Sequence, residues 1–300
     1  MVIALLYLVA TSGVMIWRGI SVSPDYILLL AVPIALLSGR FLGFLRDWIP
    51  FIAIYLGYEA LRDIAGRTGI APHLQDIAGI ESGLFGGHVP SAVLQAWTPG
   101  TFGRVLAFAA TVVYFAHFVV PFGVGLILWL ADRTQFLRYA VGLMGMSFLG
   151  FFIFLLLPTA PPWYAENHGV IHGVTKLLGT TLPSAISPYY QALYKTLLSD
   201  PVAAFPSLHV GFPFLSFLAL RGVYPGAAWL ALVWTMCVTF SVVYLGEHWV
   251  VDAIGGVVFA ALCWMVLMRV VVPHVRVLQR PVPAASEPST EPVSGDAAVA

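Results

Sequence analysis

Two short stretches of the chain carry residue types whose spacing could do chemistry. His248 and Asp252 stand four residues apart, which places both side chains on one face of a helix within reach of each other. A carboxylate on one imidazole nitrogen fixes the tautomer and leaves the other nitrogen as a nucleophile or base. The same spacing also serves as a structural His–Asp cap at a helix start. The second stretch is Phe205-Pro206-Ser207-Leu208-His209. Pro206 suits the first turn of a helix, where a missing N–H costs nothing. The N–H groups beside Ser207 then form an anion pocket helped by the helix dipole. His209, with an ordinary pKa of about 6.5, could pass a proton to a leaving oxygen near neutral pH, or could simply pack at an interface. Two histidines, one acid and an anion pocket favour phosphoryl chemistry.

The elements that must position them belong to a membrane protein. The 300 residues are 60% apolar and 9% charged, with a mean hydropathy of +0.91, whereas soluble chains carry roughly a quarter charged residues. Fourteen basic and fourteen acidic residues balance, so no basic surplus exists to neutralise phosphates, and nucleic acid is excluded as a partner. The composition also excludes disorder over most of the length. Cys237 and Cys263 both lie in apolar runs and support neither a disulfide framework nor a metal cluster.

A bilayer core needs around 20 mostly apolar residues per helix, and the chain offers roughly eight such runs, near 1–17, 24–42, 47–65, 104–130, 137–157, 206–220, 226–245 and 250–272. The expected fold is an all-α polytopic bundle of about six core spans plus N-terminal helices. Residues 1–45 form the N-terminal transmembrane helices, 46–272 the catalytic membrane domain and 273–300 a disordered cytoplasmic tail. The first run lacks a basic lead and a cleavage site, so it reads as a retained span. Arg40, Arg46, Arg133, Arg138, Arg221, Arg269, Arg276 and Arg280 cluster in short connections on one face, which is therefore cytoplasmic and carries both termini. The opposite face has two long loops near 66–103 and 158–205, rich in Trp97, Trp163, Tyr164, Tyr189, Tyr190 and Tyr194. These aromatics suit an interfacial belt or a lipid-entry surface. By this count both histidine stretches open spans on that extracytoplasmic face, at one depth, in a plasma membrane.

With those residues in place, the chain resembles the type-2 phosphatidic acid phosphatase superfamily, whose second motif is Pro-Ser-Gly-His and whose third ends His-x-x-x-Asp. Here they stand as Pro206-Ser207-Leu208-His209 and His248-Trp249-Val250-Val251-Asp252, about forty residues apart between histidines. Pro158-Thr159-Ala160-Pro161-Pro162-Trp163-Tyr164 resembles a segment of the fungal inositol phosphorylceramide synthases of the same superfamily, which also replace the motif glycine. The resemblance covers roughly residues 45–270. It implies a metal-independent double displacement with no cofactor: His248 attacks phosphorus, Asp252 orients it, His209 protonates the departing alkoxide, and Ser207 holds phosphoryl oxygens. It further implies a phospholipid or lipid-linked phosphate as substrate, with Pro162, Trp163 and Tyr164 near it.

Two departures matter. The first motif, Lys with six residues before Arg-Pro, is absent, and the arginine six residues before the third-motif histidine is Val242, although Ser241 is kept. Two phosphate-binding cations are missing from their usual places. Arg62 is the first substitute, because Tyr58-Glu59-Ala60-Leu61-Arg62 ends a span at the depth of the histidines and Glu59 could steady the guanidinium. It could equally snorkel to lipid headgroups. Arg104 is the second, while Lys176 and Lys195 read as solvated loop residues. Tyr244 is either interface packing or a hydroxyl donor to phosphate. Glu247 reads as a solvated carboxylate that could instead tune His248 or touch a headgroup. His117 reads as an interhelical hydrogen-bonding residue, and His73, His88, His168 and His172 lack ligand spacing, so no metal is expected. The competing reading is a lipid transporter or scramblase that keeps the fold without catalysis; it calls for mid-span charges and broken helices. The assigned topology has a direct check once Cys237 and Cys263 are replaced. A cysteine in the 158–205 loop should react with an impermeant thiol reagent on intact cells and one in the 281–300 tail should not; the reverse pattern contradicts it.

Overall fold

The computed structural model describes residues 24–65, 69–117, 119–178, 180 and 203–279, together with residues 6, 7 and 10. The first expected run and the tail therefore lie largely outside the described residues, as do Tyr189, Tyr190, Tyr194 and Lys195. The described chain is helical: α1 (Pro24–Leu37), α2 (Phe41–Ala65), α3 (Gln75–Leu84), α4 (Pro90–Ala96), α5 (Gly100–Ala116), α6 (Val120–Ala131), α7 (Arg133–Leu156), α8 (Pro162–Asn167), α9 (Leu208–Leu220), α10 (Pro225–Tyr244) and α11 (Val250–Val266), followed by short π and 3-10 turns to Leu278. Among the described residues the only β structure is a pair of isolated bridges joining His73 to Thr159 and Thr159 to Ala203.

Three helical stretches are long and apolar enough to cross a bilayer: Arg133–Leu156, Pro225–Tyr244 and Val250–His274. The expected single span over 104–130 is instead two helices, α5 and α6, that qualify as one span only when taken together, with a bend of 45° between them. His117 lies at that break. The expected sixth span is α9, only 13 residues long, which at about 1.5 Å per residue falls short of a roughly 30 Å hydrocarbon core. It survives because neighbours replace the lipid around it. It packs against α6, α7, α10 and α11, and Val210, Leu215 and Ala219 along it are fully buried.

At the arginine-rich end, Asp47 of α2 is buried and holds α6 and α7. Its carboxylate accepts from Arg133 at 2.6 and 2.7 Å and from the Trp129 indole at 3.1 Å. Phe44, Trp48, Phe51 and Phe136 pack around it, Trp48 stacking on Phe136 at 5.1 Å between ring centres. Asp132 caps α7 by accepting from the Gln135 N–H.

At the other end α9 and α11 meet backbone to backbone. A Cβ on Gly256 would lie 2.2 Å from the Ser207 carbonyl oxygen, and one on Gly211 would meet Met146 Cε at 2.1 Å and the Gly256 carbonyl at 3.1 Å. Lipid-buried helices gain little from apolar burial against each other, so small residues that let backbones touch are what hold such a crossing. Gly256→Ala should push α9 and α11 apart at a cost of about 1–3 kcal/mol, read as a lower melting temperature in detergent together with loss of catalytic turnover. Unchanged melting and turnover would show that the contact is loose.

Candidate active site

The α9–α11 crossing brings the two histidine stretches together. Ser207, immediately before α9, donates its N–H to the main-chain carbonyl of Asp252 at 3.0 Å, and its own carbonyl accepts the Gly211 N–H at 2.9 Å. His209 therefore sits in the first turn of α9, facing the start of α11. Its Nδ1 lies 3.0 Å from His248 Nε2, and His248 Nδ1 lies 3.4 Å from Asp252 Oδ2. With an ionised Asp252 and a neutral His248, one proton assignment uses both contacts. His248 Nδ1–H faces Asp252, and His209 Nδ1–H donates to the His248 Nε2 lone pair.

Ser207 stands where a serine commonly caps its helix by accepting from a first-turn N–H, yet it makes no such bond. Its Oγ is buried and has no partner among the described residues. That hydroxyl, beside the open N–H end of α9, is a donor in waiting for an anion. The His209 ring stacks on Tyr114 at 4.7 Å and meets the His117 ring at 4.8 Å, while His117 lies flat against Phe212.

The start of α11 is held by two buried carboxylates. Asp252 Oδ2 accepts the Trp249 N–H at 3.0 Å. Glu81 of α3 accepts the Val250 and Val251 N–H groups at 2.9 and 3.1 Å. Acidic groups belong at a helix N-terminus, where the backbone dipole and unpaired N–H groups favour negative charge. Burial pushes the Glu81 carboxyl above the usual range; the two N–H bonds act against that and the nearby Asp252 charge adds to it.

The Pro158–Tyr164 segment joins both histidine stretches. Thr159 accepts the Phe205 N–H through Oγ1 at 2.6 Å and the Ala204 N–H through its carbonyl. The Ala160 carbonyl accepts the Trp249 indole N–H at 2.8 Å. The Trp163 N–H donates to the Gly246 carbonyl at 3.1 Å, in a turn where Gly246 takes a φ of 77°. Pro162 is buried at the first position of α8, and Tyr164 turns outward to stack on His168 at 4.1 Å.

The other expected residues fall elsewhere. The Tyr244 hydroxyl is engaged by Thr98 at 2.9 Å and the Gly103 carbonyl at 3.3 Å, in the α5–α10 interface. Arg104 is on an exposed face of α5 and donates to Thr101. Arg62 belongs to the last turns of α2, and its side chain lies outside the described residues. Lys176, expected in solvent, is half-buried, with Nζ 3.6 Å from the centre of the Trp163 ring. Glu247, also expected in solvent, accepts from the Trp163 indole at 3.3 Å. Glu81 and the glycine crossing had no sequence signal. His117 had one, an ionisable group inside a span, although its ring neighbour could not be named. Among the described residues no group of three or more His, Cys, Asp or Glu could hold a metal.

Comparison with known proteins accords with this geometry. The family model of the PAP2 superfamily matches residues 75–266, a stretch that includes α3, the Pro158–Tyr164 segment and both histidines. The chain is 27% identical to the inositol phosphorylceramide synthase catalytic subunit of Schizosaccharomyces pombe, over 53% of this chain and 39% of that protein. It is 31% identical to the inositol phosphorylceramide synthase of Candida albicans, over 47% of this chain and 31% of the relative. The similarity to the phosphoinositol dihydroceramide synthase of Bacteroides thetaiotaomicron is 26%, over 72% of this chain and 74% of that protein. The chain thus spans about a third of the length of the two fungal relatives. No solved structure matches it. A model match over well more than half of the chain, covering the histidine pair and the segment that braces it, places the protein in the PAP2 superfamily.

Proposed function

We propose that the protein is an integral membrane phosphotransferase that moves a phosphoryl-linked headgroup of the inositol type from a phospholipid to an alcohol through a phosphohistidine on His248. The observation that carries this reading is the 3.0 Å contact between His209 and His248, with Asp252 behind the latter. It is supported by relatives that are named for inositol phosphorylceramide and phosphoinositol dihydroceramide synthesis.

The tautomers give each residue its part. His248 Nε2, kept as a lone pair by the Asp252 contact, forms a bond to phosphorus as the bond to the lipid oxygen breaks. The Nδ1 proton of a His209 imidazolium, which points at Nε2 in the closed pair, points at the departing oxygen once phosphorus stands between the rings, and its transfer leaves His209 neutral and ready to act as a base. The two nitrogens must then separate to roughly twice their present distance, since two bonds to phosphorus and one hydrogen bond have to fit between them. In the second half His209 takes the proton of the acceptor hydroxyl, the new P–O bond forms and the P–N bond breaks. Water in place of the alcohol turns the same cycle into hydrolysis. Ser207 Oγ and the N–H groups at the start of α9 receive the negative oxygens. Ionisable groups gathered at one point of the bundle suit such a site better than the dispersed mid-span charges of a transporter.

In the membrane, this reading keeps eight spans, both termini in the cytoplasm and the histidine pair on the extracytoplasmic side of a plasma membrane, with the Asp47–Arg133 end on the cytoplasmic side. Residues 46–272 act as the catalytic domain. Purified His248→Ala and His209→Ala should each lose turnover of phospholipid donors while still inserting into membranes. Asp252→Asn should keep the fold and lose several orders of magnitude in rate, as other His–Asp pairs do when the tautomer is no longer fixed. Vanadate should inhibit as a mimic of five-coordinate phosphorus. Full activity of His248→Ala would overturn the mechanism.

A further inference from the structure

Glu247 stands one residue before His248, in the turn between α10 and α11, and its two carboxylate oxygens are treated differently. Oε2 accepts from the Trp163 indole at 3.3 Å. Oε1 is shut off from solvent and has no hydrogen-bond partner among the described residues. A buried carboxylate oxygen without a donor is expensive, and the fold draws no visible benefit from this one. The backbone of the turn is already held by the Glu247 and His248 N–H groups, which both donate to the Val242 carbonyl at 2.9 and 3.1 Å. One face of Trp163 is covered by the Lys176 ammonium. Burial pushes the Glu247 carboxyl upward, and the Lys176 charge and the Trp163 hydrogen bond pull it back.

We propose that Glu247 Oε1 accepts a hydrogen bond from a hydroxyl of an uncharged polyhydroxy headgroup, carried on the phosphoryl group that His248 attacks, and so selects the donor lipid. The assignment rests on the phosphoryl-transfer reading above. Glu247 is near enough to His248 for the two to interact electrostatically, so its carboxylate is a neighbour of the phosphoryl group that His248 holds and of the substituent that stays attached during transfer. Trp163 fixes the carboxylate by one oxygen and leaves the other to the ligand. A charged amine headgroup fits poorly: the aromatic face it would stack on is taken by Lys176, and a second cation beside that ammonium is repelled. A hydroxyl is a neutral donor that meets the unpaired oxygen in a charge-assisted bond. A buried group built to bond a hydroxyl rejects analogues lacking it far more strongly than an apolar pocket rejects a change of size.

The test uses the full chain in detergent with two donors, phosphatidylinositol and phosphatidic acid. Glu247→Ala should lower the kcat/KM ratio of phosphatidylinositol to phosphatidic acid at least tenfold, with Glu247→Gln between it and the wild type. An equal loss on both donors would mean that Glu247 acts only through His248, and would overturn the proposal, as would an unchanged ratio. Binding is measured separately on the inert His248→Ala protein with short-chain phosphatidylinositol. Adding Glu247→Ala should weaken binding at least fivefold, and no change would count against the subsite. If the wild type turned over no donor while this binding difference persisted, the transfer chemistry would fall and the headgroup site would stand.

Discussion

Everything the site can do depends on the backbone contact between α9 and α11. The Ser207 N–H bonds the Asp252 carbonyl, and Gly256 leaves no room for a side chain against the Ser207 carbonyl. His209 lies two residues past Ser207, and His248 lies four before Asp252, so locking those two backbones fixes both rings. Ordinary side-chain-mediated packing holds helix axes about 8–10 Å apart, with the backbones separated by the side chains between them. Here the backbones themselves touch, and a contact of 3.0 Å between a ring on α9 and a ring in the turn that leads into α11 follows from that closeness.

The segments outside the spans finish what the crossing begins. Glu81 reaches from α3 to the first N–H groups of α11, and Thr159 and Ala160 reach from the Pro158–Tyr164 segment to Phe205 and Trp249. Each of these bonds ends on one of the two histidine stretches. The helix N-terminus makes this economical, since its unpaired N–H groups need acceptors in any case and its dipole tolerates the buried carboxylates that supply them. His209 is steadied differently, by a stacked contact with Tyr114 and a tilted one with His117 near the break between α5 and α6. That break, which interrupts what reads as one continuous apolar run, is the place where the bundle admits a third imidazole to the neighbourhood of the pair.

Much of this was legible in the sequence, and the limits have physical causes. His248 and Asp252 were readable as a pair from their spacing, although His248 sits in the turn before the Trp249 cap and not on a face of α11, and Pro206-Ser207 announces a helix start. The pairing of the two stretches could be expected from span counting, yet the distance between the rings depends on Gly211 and Gly256, whose closeness is a tertiary fact. Glu81 was invisible because its partners lie 169 and 170 residues away. Lys176 and Glu247 read as solvated because they flank loops, whereas Trp163 gathers both of them. Span counting also took α9 for an ordinary crossing, since hydropathy does not reveal that protein surrounds a 13-residue helix. Of the two expected substitutes for the missing family cations, Arg104 faces outward; the cation the structure instead gathers beside the Trp163–Glu247 contact is Lys176.

The central claim is that His248 Nε2 is the atom that bonds phosphorus. It is tested most directly by mixing the purified protein with a donor lipid labelled at phosphorus, quenching within the first turnover at alkaline pH, and mapping the label on peptides. The structure predicts an acid-labile, alkali-stable adduct on the peptide containing His248, strengthened when the acceptor alcohol is withheld and absent when His248 is replaced. Label on the His209 peptide would contradict the tautomer assignment, and turnover with no protein-bound label at any time would contradict the double displacement itself.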